Sequence, residues 1–422
     1  MKILVIGSGG REHAIVDALT RSPQVEKIWC APGNAGIARQ AECVAIRETE
    51  VERLRDFAAE NGVGLTVVGP EASLAAGVVD CFRAAGLRIF GPTKAAARIE
   101  SSKEFAKDLM ARHGIPTAGY RTFSDYGEAM AYVSSRPLPA VLKYDGLAAG
   151  KGVVIAQTME EAGAALRDML LDDKFGKGRV VVEDYLEGPE FSLLCFVSGR
   201  RVWPMVLSQD HKRAFDGDRG PNTGGMGAFA PSPLYTRHIA ERTEREILLP
   251  TLRAMNAEGF TFKGVLYVGL MLTKDGPKVV EYNARFGDPE TQVVLPRMKN
   301  DIIDVFEACI DGTLDKIDLQ FEDNAAVCVV LASDGYPVSY EKGFEIKGLD
   351  TFKDKDGYYV FHAGTKFDDD GKIVTNGGRV LGVTAKGKDL KEARANAYKA
   401  TEWIDFDNKY MRHDIGKAID EA

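Results

Sequence analysis

The sequence lacks the features that mark membrane proteins and nucleic-acid-binding proteins. Its longest apolar segments, such as residues 327–332, have the length of a β-strand and are far too short to span a membrane. The net charge is −8, and no run of basic residues interleaved with aromatic residues occurs. We therefore expect neither a membrane partner nor a nucleic-acid partner.

The sequence also has few cysteines and lacks the pattern of a secretory leader. Its six cysteines include no C-x-x-C pair, and most lie inside apolar runs, so we expect buried free thiols rather than disulfides or zinc ligands. Lys2 leads directly into a short apolar strand at residues 3–6, whereas a secretory segment would be longer and would end in small residues. The expected location is the cytoplasm.

Glycine is abundant, and the order of apolar segments predicts a multidomain protein with α/β and α+β parts. The chain has 44 glycines. Its length of 422 residues is too great for one ordinary core. Strands and helices alternate through residues 1–100, which predicts a parallel α/β sheet that binds substrate. Residues 101–324 are expected to form a central body with a mobile flap at about residues 120–190, and residues 325–422 a small α+β domain.

The first strand is followed by the loop GSGGREH, residues 7–13. This loop matches the glycine pattern of a dinucleotide-binding motif only in part. Glu12 occupies the third glycine position, and Asn34 follows the second strand where a ribose-binding acid is required. A strand, a turn and a helix with free backbone amides beside Arg11 suit a phosphate monoester instead. Gly9, Arg11 and Asn34 are therefore candidates for holding a sugar phosphate, and the alternative is a tight turn without a ligand.

The segment VVEYNARFGDPETQ, residues 279–292, carries the most information about chemistry. Residues two apart on a strand share one face, so Glu281 and Asn283 are expected to face the same cleft, with Arg285 next along that face. Carboxylate and amide oxygens beside a fixed guanidinium suit Mg²⁺ and phosphate. One alternative is a strand that leaves the sheet through a polar turn, with a solvated Arg285. Another is an Arg285 that only clamps Asp288 or Glu290.

Two further segments indicate a nucleotide. In KYDGLAAGKGVVI, residues 143–155, a flexible glycine loop separates Lys143 from a second strand, and its amides can close over phosphate oxygens. In VVVEDYLEGPEFS, residues 180–192, backbone groups near Leu186 suit an adenine edge, and Glu190 suits ribose hydroxyls. A surface strand pair with solvated acids is the alternative for the second segment. The residues of the glycine loop that are expected to contact the nucleotide are Lys143, Gly146, Gly150, Lys151 and Gly152.

Taken together and in this order, the motifs resemble the ATP-grasp superfamily and, within it, the glycinamide ribonucleotide synthetase family. The resemblance also includes PGNAG at residues 32–36, SSKEFAK at 101–107 and MRHDIG at 411–416. Its most specific parts are the PNTGGMG portion of a long polar loop, residues 210–227, and the turn RFGDPE. The resemblance extends over essentially the whole chain.

The resemblance implies a role for each site residue. Lys103 and Lys143 would contact ATP phosphates, Glu183 and Leu186 would flank the adenine, and Glu190 would hold the ribose. Glu281 and Asn283 would bind Mg²⁺ or Mn²⁺. The strand at residues 264–272 has no carboxylate, which departs from the many ATP-grasp enzymes that carry a second metal-binding acid there.

The family also implies an ATP-dependent ligation of glycine to 5-phosphoribosylamine by a monomer in purine biosynthesis. Arg285 and Lys143 would be catalytic. Three alternatives remain: another purine-pathway ligase of the same fold, such as the enzyme that carboxylates aminoimidazole ribonucleotide, a dinucleotide oxidoreductase, and a non-catalytic nucleotide-binding regulator. The residues expected to hold glycine and the ribose are Asp210, Lys212, Asn222, Thr223, Gly224 and Asp288.

Overall fold

A computed structural model describes residues 1–148 and 151–417 of the chain. The first unit is a parallel sheet in the order β3-β2-β1-β4-β5. Its β1 is buried along almost its full length, as expected for a parallel strand that is covered on both faces. The strands are β1 (Lys2–Gly7), β2 (Lys27–Pro32), β3 (Glu42–Cys43), β4 (Leu65–Val68) and β5 (Ile89–Phe90), and the helices are α1 (Gly10–Thr20), α2 (Val51–Glu60), α3 (Glu71–Ala75), α4 (Val78–Ala84) and α5 (Lys94–Ser101).

Helix α6 (Lys103–His113) leads into a small unit that has its own apolar core. Ser102 caps α6 by accepting a hydrogen bond from the amide of Phe105, as predicted from the serine pair before this helix. The unit is an antiparallel sheet in the order β6-β9-β7-β8, with two helices on it. Its elements are β6 (Tyr120–Phe123), α7 (Tyr126–Ser134), β7 (Ala140–Tyr144), β8 (Val153–Ala156), α8 (Met159–Leu170) and β9 (Val180–Asp184).

The central body is built on an antiparallel sheet in the order β11-β10-β16-β17. Helices α9 and α10 are joined by a π-helical stretch, Glu244–Leu248. The elements are β10 (Glu190–Ser198), β11 (Arg201–Pro204), β12 (Gln209–Asp210), β13 (Arg213–Phe215), β14 (Arg219–Asn222), β15 (Gly227–Ala230), α9 (Arg237–Thr243), α10 (Leu249–Ala257), β16 (Lys263–Thr273), β17 (Gly276–Asn283), α11 (Thr291–Val294) and α12 (Ile302–Asp311).

The carboxyl-terminal sheet takes two strands from the long loop. Its order is β12-β15-β18-β22-β19, and a short strand also pairs with β18. The long loop is therefore not irregular throughout, because it also contains the antiparallel pair of β13 and β14. The remaining elements are β18 (Ala325–Ser333), β19 (Tyr358–His362), β20 (Thr365–Phe367), β21 (Ile373–Thr375), β22 (Arg379–Gly387), α13 (Leu390–Thr401) and β23 (Lys409–Tyr410).

The architecture confirms the predicted fold class of a parallel α/β sheet followed by α+β parts. All six cysteines are free thiols, four of them buried, as predicted. No helix in the described ranges is both long enough and apolar enough to cross a membrane.

A pair of buried histidines joins the first unit to the carboxyl-terminal sheet. His13 on α1 accepts a hydrogen bond at Nδ1 from the amide of His362 on β19, at 2.7 Å. The two rings lie 5.5 Å apart between centroids. Burial, assisted by the charge of Arg39, lowers the pKa of His13 to about 4. Burial also lowers the pKa of His362, so both rings are neutral in the folded protein at neutral pH.

We expect acidification to weaken this junction. The unfolded chain binds a proton at His13 near its ordinary pKa, whereas the folded chain does so only near pH 4. The free energy of unfolding therefore falls as pH drops from 6.5 towards 4, by about 2 kcal/mol at pH 5 for one such histidine. Melting temperatures between pH 7.5 and 5 measure the effect. His13→Gln should make the curve less steep, with His362 still contributing, and His238→Gln, at an exposed position, should leave its slope unchanged.

Candidate active site

One cavity of about 1030 Å³ lies where the first unit, the central body and the carboxyl-terminal sheet meet. Most of the predicted site residues line it, although they come from distant parts of the sequence. Those on its wall are Arg11, Lys103, Lys143, Gly146, Lys151, Gly152, Glu183, Leu186, Glu190, Asp210, Lys212, Asn222, Thr223, Gly224, Glu281, Asn283, Arg285 and Asp288.

Of the predicted site residues that the structure describes, Asn34 and Gly9 are not on this wall. Asn34 is buried, and its amide nitrogen donates to the carbonyls of Ser8 and His362, both at 2.8 Å. Its carbonyl oxygen accepts from two backbone amides of its own loop, so the side chain is saturated by the fold. Gly9 lies behind the wall, in the turn before α1. Gly150 lies outside the described residues.

The glycine-rich turn before α1 differs from the sequence prediction because carboxylates already bind its amides. The amide of Gly9 donates to Glu12 at 2.7 Å, and the amide of Arg11 donates to Asp288 at 3.1 Å. The guanidinium of Arg11 donates to the buried Glu12 at 2.7 Å. The prediction of free amides is therefore wrong for these two residues. A phosphate bound at this turn would be repelled by the two carboxylates.

A buried ion cluster forms one end of the cavity. The carboxylate of Glu183 lies between Lys143 and Lys107, at 3.0 and 3.1 Å from their amines. Burial lowers the pKa of Lys107 to about 8. Lys103 stands beside this cluster and donates to the carbonyl of Gly146 at 3.0 Å. Several ammonium groups thus converge where polyphosphate oxygens would be neutralised.

Apolar side chains line the cavity next to these lysines. They form a slot between the small antiparallel unit and the central sheet. A flat aromatic base fits such a slot, and its phosphates would then reach the cationic end. The apolar residues on this part of the wall are Val141, Val153, Ile155, Leu186 and Met271.

Strand β17 presents Glu281 and Asn283 to the cavity, as their spacing predicts. A bulge opposite Gly269 and Leu270 leaves Val280 out of the ladder, and its carbonyl accepts a hydrogen bond from Lys143 at 2.9 Å. Burial would raise the pKa of Glu281, but Lys212 and Lys143 outweigh it and lower the pKa to about 2. Glu281 is therefore a carboxylate at any working pH.

The donor set on β17 fits a hard divalent cation. One ionised carboxylate and one amide oxygen lie two residues apart on one cavity-facing strand, and Mg²⁺ commonly takes one or two protein oxygens together with phosphate and water oxygens. Within the described ranges, no three histidine, cysteine, aspartate or glutamate side chains are grouped to hold a metal by themselves. A cation at Glu281 and Asn283 would therefore need ligands from the nucleotide.

Lys212, on the long loop, connects two of the predicted acids. Its amine contacts Glu190 and lies 3.5 Å from Glu281. Burial would lower the pKa of Lys212, but these carboxylates raise it well above its ordinary value. Glu190, predicted at the ribose, is thus held by a cation from the loop.

Arg285 is bound to acids that sequence reasoning did not identify. Its guanidinium lies 2.9 Å from Glu100 and 3.3 Å from Glu71. It also donates to the amide oxygen of Asn283 at 3.4 Å and to the carbonyl of Phe286 at 3.2 Å. Neither Asp288 nor Glu290, the predicted alternative partners, forms an ion pair with it. The anchored fork fixes Asn283 at the end of β17.

Asp288 joins all three parts of the chain at the cavity. Besides the amide of Arg11, it accepts from Gln292 at 2.8 Å and lies 3.4 Å from the guanidinium of Arg379 on β22. Burial would raise the pKa of Asp288, but Arg379 and Arg11 outweigh it and lower the pKa. The same Arg379 donates to the carbonyl of Gly224 at 2.9 Å, which ties the long loop to the RFGDPE turn.

A buried carboxylate, Glu290, and a half-buried one, Asp210, face the cavity near this turn. Tyr267 donates to Glu290 at 2.9 Å and bonds to Ser192 at 2.7 Å. Burial and the nearby charge of Glu290 raise the pKa of Asp210 well above its usual range. Burial also raises the pKa of Glu290. This pair suits a substrate ammonium or a proton.

Several wall residues were missed by the sequence analysis. Glu71 lies in the loop GPEA, residues 69–72, and Glu290 lies in the quoted turn RFGDPE, so the acid itself was a usable signal in both. Arg379 follows a glycine pair at the start of β22, and no local pattern marks its role. The missed residues on the wall are Glu71, Glu100, Lys107, Tyr267, Glu290, Tyr336, Arg379 and Arg412.

A small antiparallel unit and a central antiparallel sheet with a nucleotide-sized slot between them define the ATP-grasp class. The models of the phosphoribosylglycinamide synthetase family match nearly all of the chain. The N domain matches residues 1–100, the ATP-grasp (A) domain residues 101–291 and the C domain residues 326–418. The chain belongs to the phosphoribosylglycinamide synthetase family.

Known proteins resemble the chain over its full length. A phosphoribosylamine–glycine ligase of Halalkalibacterium halodurans is 54% identical, covering 100% of this chain and 98% of that protein. The crystal structure of phosphoribosylamine–glycine ligase from Thermotoga maritima has a TM-score of 0.85 at 34% identity, covering 98% and 100% of the two chains. A biotin carboxylase domain of 2-oxoglutarate carboxylase from Hydrogenobacter thermophilus, solved with MgADP, has a TM-score of 0.72 at 17% identity, covering 97% and 91%. The last likeness concerns the fold alone.

Proposed function

We propose that this chain joins glycine to 5-phosphoribosylamine at the expense of ATP, giving glycinamide ribonucleotide, ADP and phosphate in purine biosynthesis. The observation that carries the proposal is the apolar slot that ends at Lys103 and Lys143 beside the Glu281 and Asn283 pair. The choice of substrates is supported by the 54% identity to a phosphoribosylamine–glycine ligase over the full length of the chain.

The first step is transfer of the γ-phosphoryl group. A carboxylate oxygen of glycine attacks the γ-phosphorus, the bond to the bridging oxygen breaks, and ADP leaves with that electron pair, giving glycyl phosphate. Such a transfer needs positioning and charge neutralisation rather than a protein nucleophile. Lys103 and Lys143 hold the polyphosphate, and Arg285 fixes the γ-end against β17. A bound Mg²⁺ or Mn²⁺ would be held by Glu281 and Asn283 and would supply further neutralisation of phosphate charge.

The second step is attack by the amine of phosphoribosylamine on the acyl carbon. The carbon–oxygen bond to phosphate breaks, phosphate leaves, and one amine proton must move to a base. Asp210 and Glu290 are carboxyl groups on the cavity wall with raised pKa values, and either of them, when ionised, can accept that proton. Lys212, Asn222, Thr223, Gly224 and Asp288 form the surrounding wall that would orient glycine and the ribose.

The decisive experiment is an ADP-release assay with glycine and freshly prepared phosphoribosylamine, each omitted in turn. We expect ADP only when both are present. ADP release that needs bicarbonate and aminoimidazole ribonucleotide would favour the carboxylating ligase. ATP binding without turnover would indicate a regulator, and a change of NAD(P)H absorbance would indicate an oxidoreductase, although the carboxylates at the glycine-rich turn disfavour a dinucleotide there.

We also propose an oligomeric state, a cellular location, a mobile flap and domain boundaries for this chain. The working unit is a monomer in the cytoplasm, and residues 120–190 act as a flap that closes on the nucleotide. The segments 1–100, 101–324 and 325–422 are the proposed domains. A monomer elutes near its mass of 46.0 kDa in size-exclusion chromatography, and a dimer peak would overturn that expectation.

We expect Glu281→Gln to raise the Mg²⁺ concentration needed for half-maximal activity by about fivefold or more, because a neutral ligand replaces a charged one at a hard cation. A magnesium titration at saturating ATP measures it. Glu241→Gln, an exposed acid in an ion pair with Arg237, is the control and should behave as wild type. An unchanged titration for Glu281→Gln would remove this residue from the metal site.

A further inference from the structure

Arg412, in the MRHDIG motif, is a buried arginine whose guanidinium binds its own segment and the long loop. Its side chain is 1% exposed. Nε and Nη2 donate to Asp414, both at 2.7 Å. Nη2 also lies 3.0 Å from the carboxylate of Asp218, and Nη1 donates to the carbonyl of Arg213 at 3.0 Å. One planar fork therefore holds its own segment and two points of the loop.

The neighbouring residues repeat this pattern. Asp414 accepts a hydrogen bond from the amide of Gly217 at 2.8 Å, and the amide of His413 donates to Asp216 at 2.8 Å. We name residues 410–416 the clasp, since most of its residues bind the long loop. The remaining contacts run from the hydroxyl of Tyr410 to the carbonyl of Ala214 at 2.7 Å and from the amide of Gly416 to Nε2 of His211 at 3.2 Å.

The clasped part of the loop is directly connected to the site. Arg213, whose carbonyl Arg412 holds, is the residue after Lys212, and Lys212 contacts Glu190 and Glu281. The carbonyl of Lys212 also accepts the amide and the hydroxyl of Thr223, both at 2.8 Å. A shift of the β13 and β14 hairpin would therefore move Lys212 and the opposite side of the loop together.

We infer that the clasp holds the long loop in its working position and that Arg412 is the positioning residue for Lys212 and Thr223. The inference rests on the proposed function, in which these residues orient glycine and the ribose. Among the proposed nucleotide residues, Glu190 contacts Lys212, whereas the base and phosphate positions are built from other elements, β7, β8 and the residues after β9. Loss of the clasp should consequently weaken binding of glycine and the amine much more than binding of ATP.

The test compares Arg412→Lys with wild type. Lysine keeps the charge but loses the planar fork that makes these bonds at once. We expect amide hydrogen exchange in residues 211–222 to be about tenfold faster or more. We also expect the KM for glycine to rise at least about fivefold while the KM for ATP stays within about twofold. Wild-type exchange together with a wild-type KM for glycine would overturn the inference.

Two control variants separate positioning from general destabilisation. Arg297→Lys changes another buried arginine, which binds Asn324 and a loop carbonyl away from the cavity, and it should lower the melting temperature without the split in KM. Asp218→Asn removes a partner whose side chain is 73% exposed, so it should have little effect. A KM split in Arg297→Lys equal to that in Arg412→Lys would contradict the clasp.

If Arg412→Lys yields no folded protein, the same exchange and KM measurements on Asp414→Asn test the inference. It keeps the shape of the side chain but removes the charge that accepts from Arg412 and Gly217, so we expect the same changes in smaller measure. Unchanged exchange in this variant overturns the inference. The exchange experiment needs no substrate, so it tests the clasp independently of the proposed function. If wild-type protein releases no ADP, the proposed function is refuted, but the exchange rates in residues 211–222 still test whether the clasp holds the loop.

Discussion

Lys143→Ala is expected to lower turnover by about tenfold to a hundredfold, because a charged contact to phosphate in a closed site contributes about 1.5 to 3 kcal/mol. Lys143 is 4% exposed and lies at the cationic end of the cavity. Its loss also removes the donor to the carbonyl of Val280 at the β17 bulge. Steady-state ADP release at saturating ATP measures the effect.

The partner of Lys143 complicates this variant and supplies its control. Without Lys143, Glu183 keeps only Lys107, at 3.1 Å, so part of the loss arises from a buried carboxylate that is less well neutralised. Glu183→Gln in the Lys143→Ala background removes that charge. If the double variant recovers turnover fully, Lys143 serves only to neutralise Glu183, and its phosphate role is refuted. Lys386→Ala, which removes an ion pair with Glu322 away from the cavity, should leave turnover unchanged.

Local spacing was enough to predict the strand that carries the candidate metal ligands. Glu281 and Asn283 face one cavity because residues two apart on a strand share a face, and the bulge at Val280 lies before Glu281 and leaves the pair intact. The alternation of strands and helices predicted the parallel sheet for the same reason, since both features depend on neighbouring residues.

Contacts between distant segments were not predictable in this way. The sequence suggested Asp288 and Glu290 only as alternative partners of Arg285, yet its observed partners Glu71 and Glu100 belong to α3 and α5. No periodicity encodes which helix ends meet a strand end, because that depends on how separate units pack. The same holds for β12 and β15, which join the carboxyl-terminal sheet through pairing with β18.

The glycine-rich turn shows a different limit. Its amides were expected to bind phosphate, because an uncapped helix start attracts anions. Glu12 lies three residues after Gly9 and returns to its amide, so the turn satisfies itself locally. The glycine pattern marks Glu12 only as a residue that replaces the third glycine. Its second physical meaning, as a capping acid in the first turn, was available from the sequence.

Arg285→Lys is expected to lower turnover by at least about a hundredfold with little change in the KM for ATP, since the variant keeps the charge and loses the fork. The guanidinium holds Glu100, Glu71 and Asn283 at once. Lysine can satisfy one of these acids, so either the buried Glu100 or the half-buried Glu71 loses an ion pair, and the melting temperature should fall as well.

Glu100→Gln distinguishes a catalytic Arg285 from a structural one. This variant removes one anchor but keeps the guanidinium, and the amide of Ala284, which donates to Glu100 at 2.7 Å, keeps an acceptor. If Arg285 acts on the transferring phosphoryl group, Arg285→Lys loses far more turnover than Glu100→Gln for a similar fall in melting temperature. If the two variants lose turnover in proportion to their loss of stability, or if turnover in Arg285→Lys survives while its melting temperature drops, Arg285 only anchors the turn after β17.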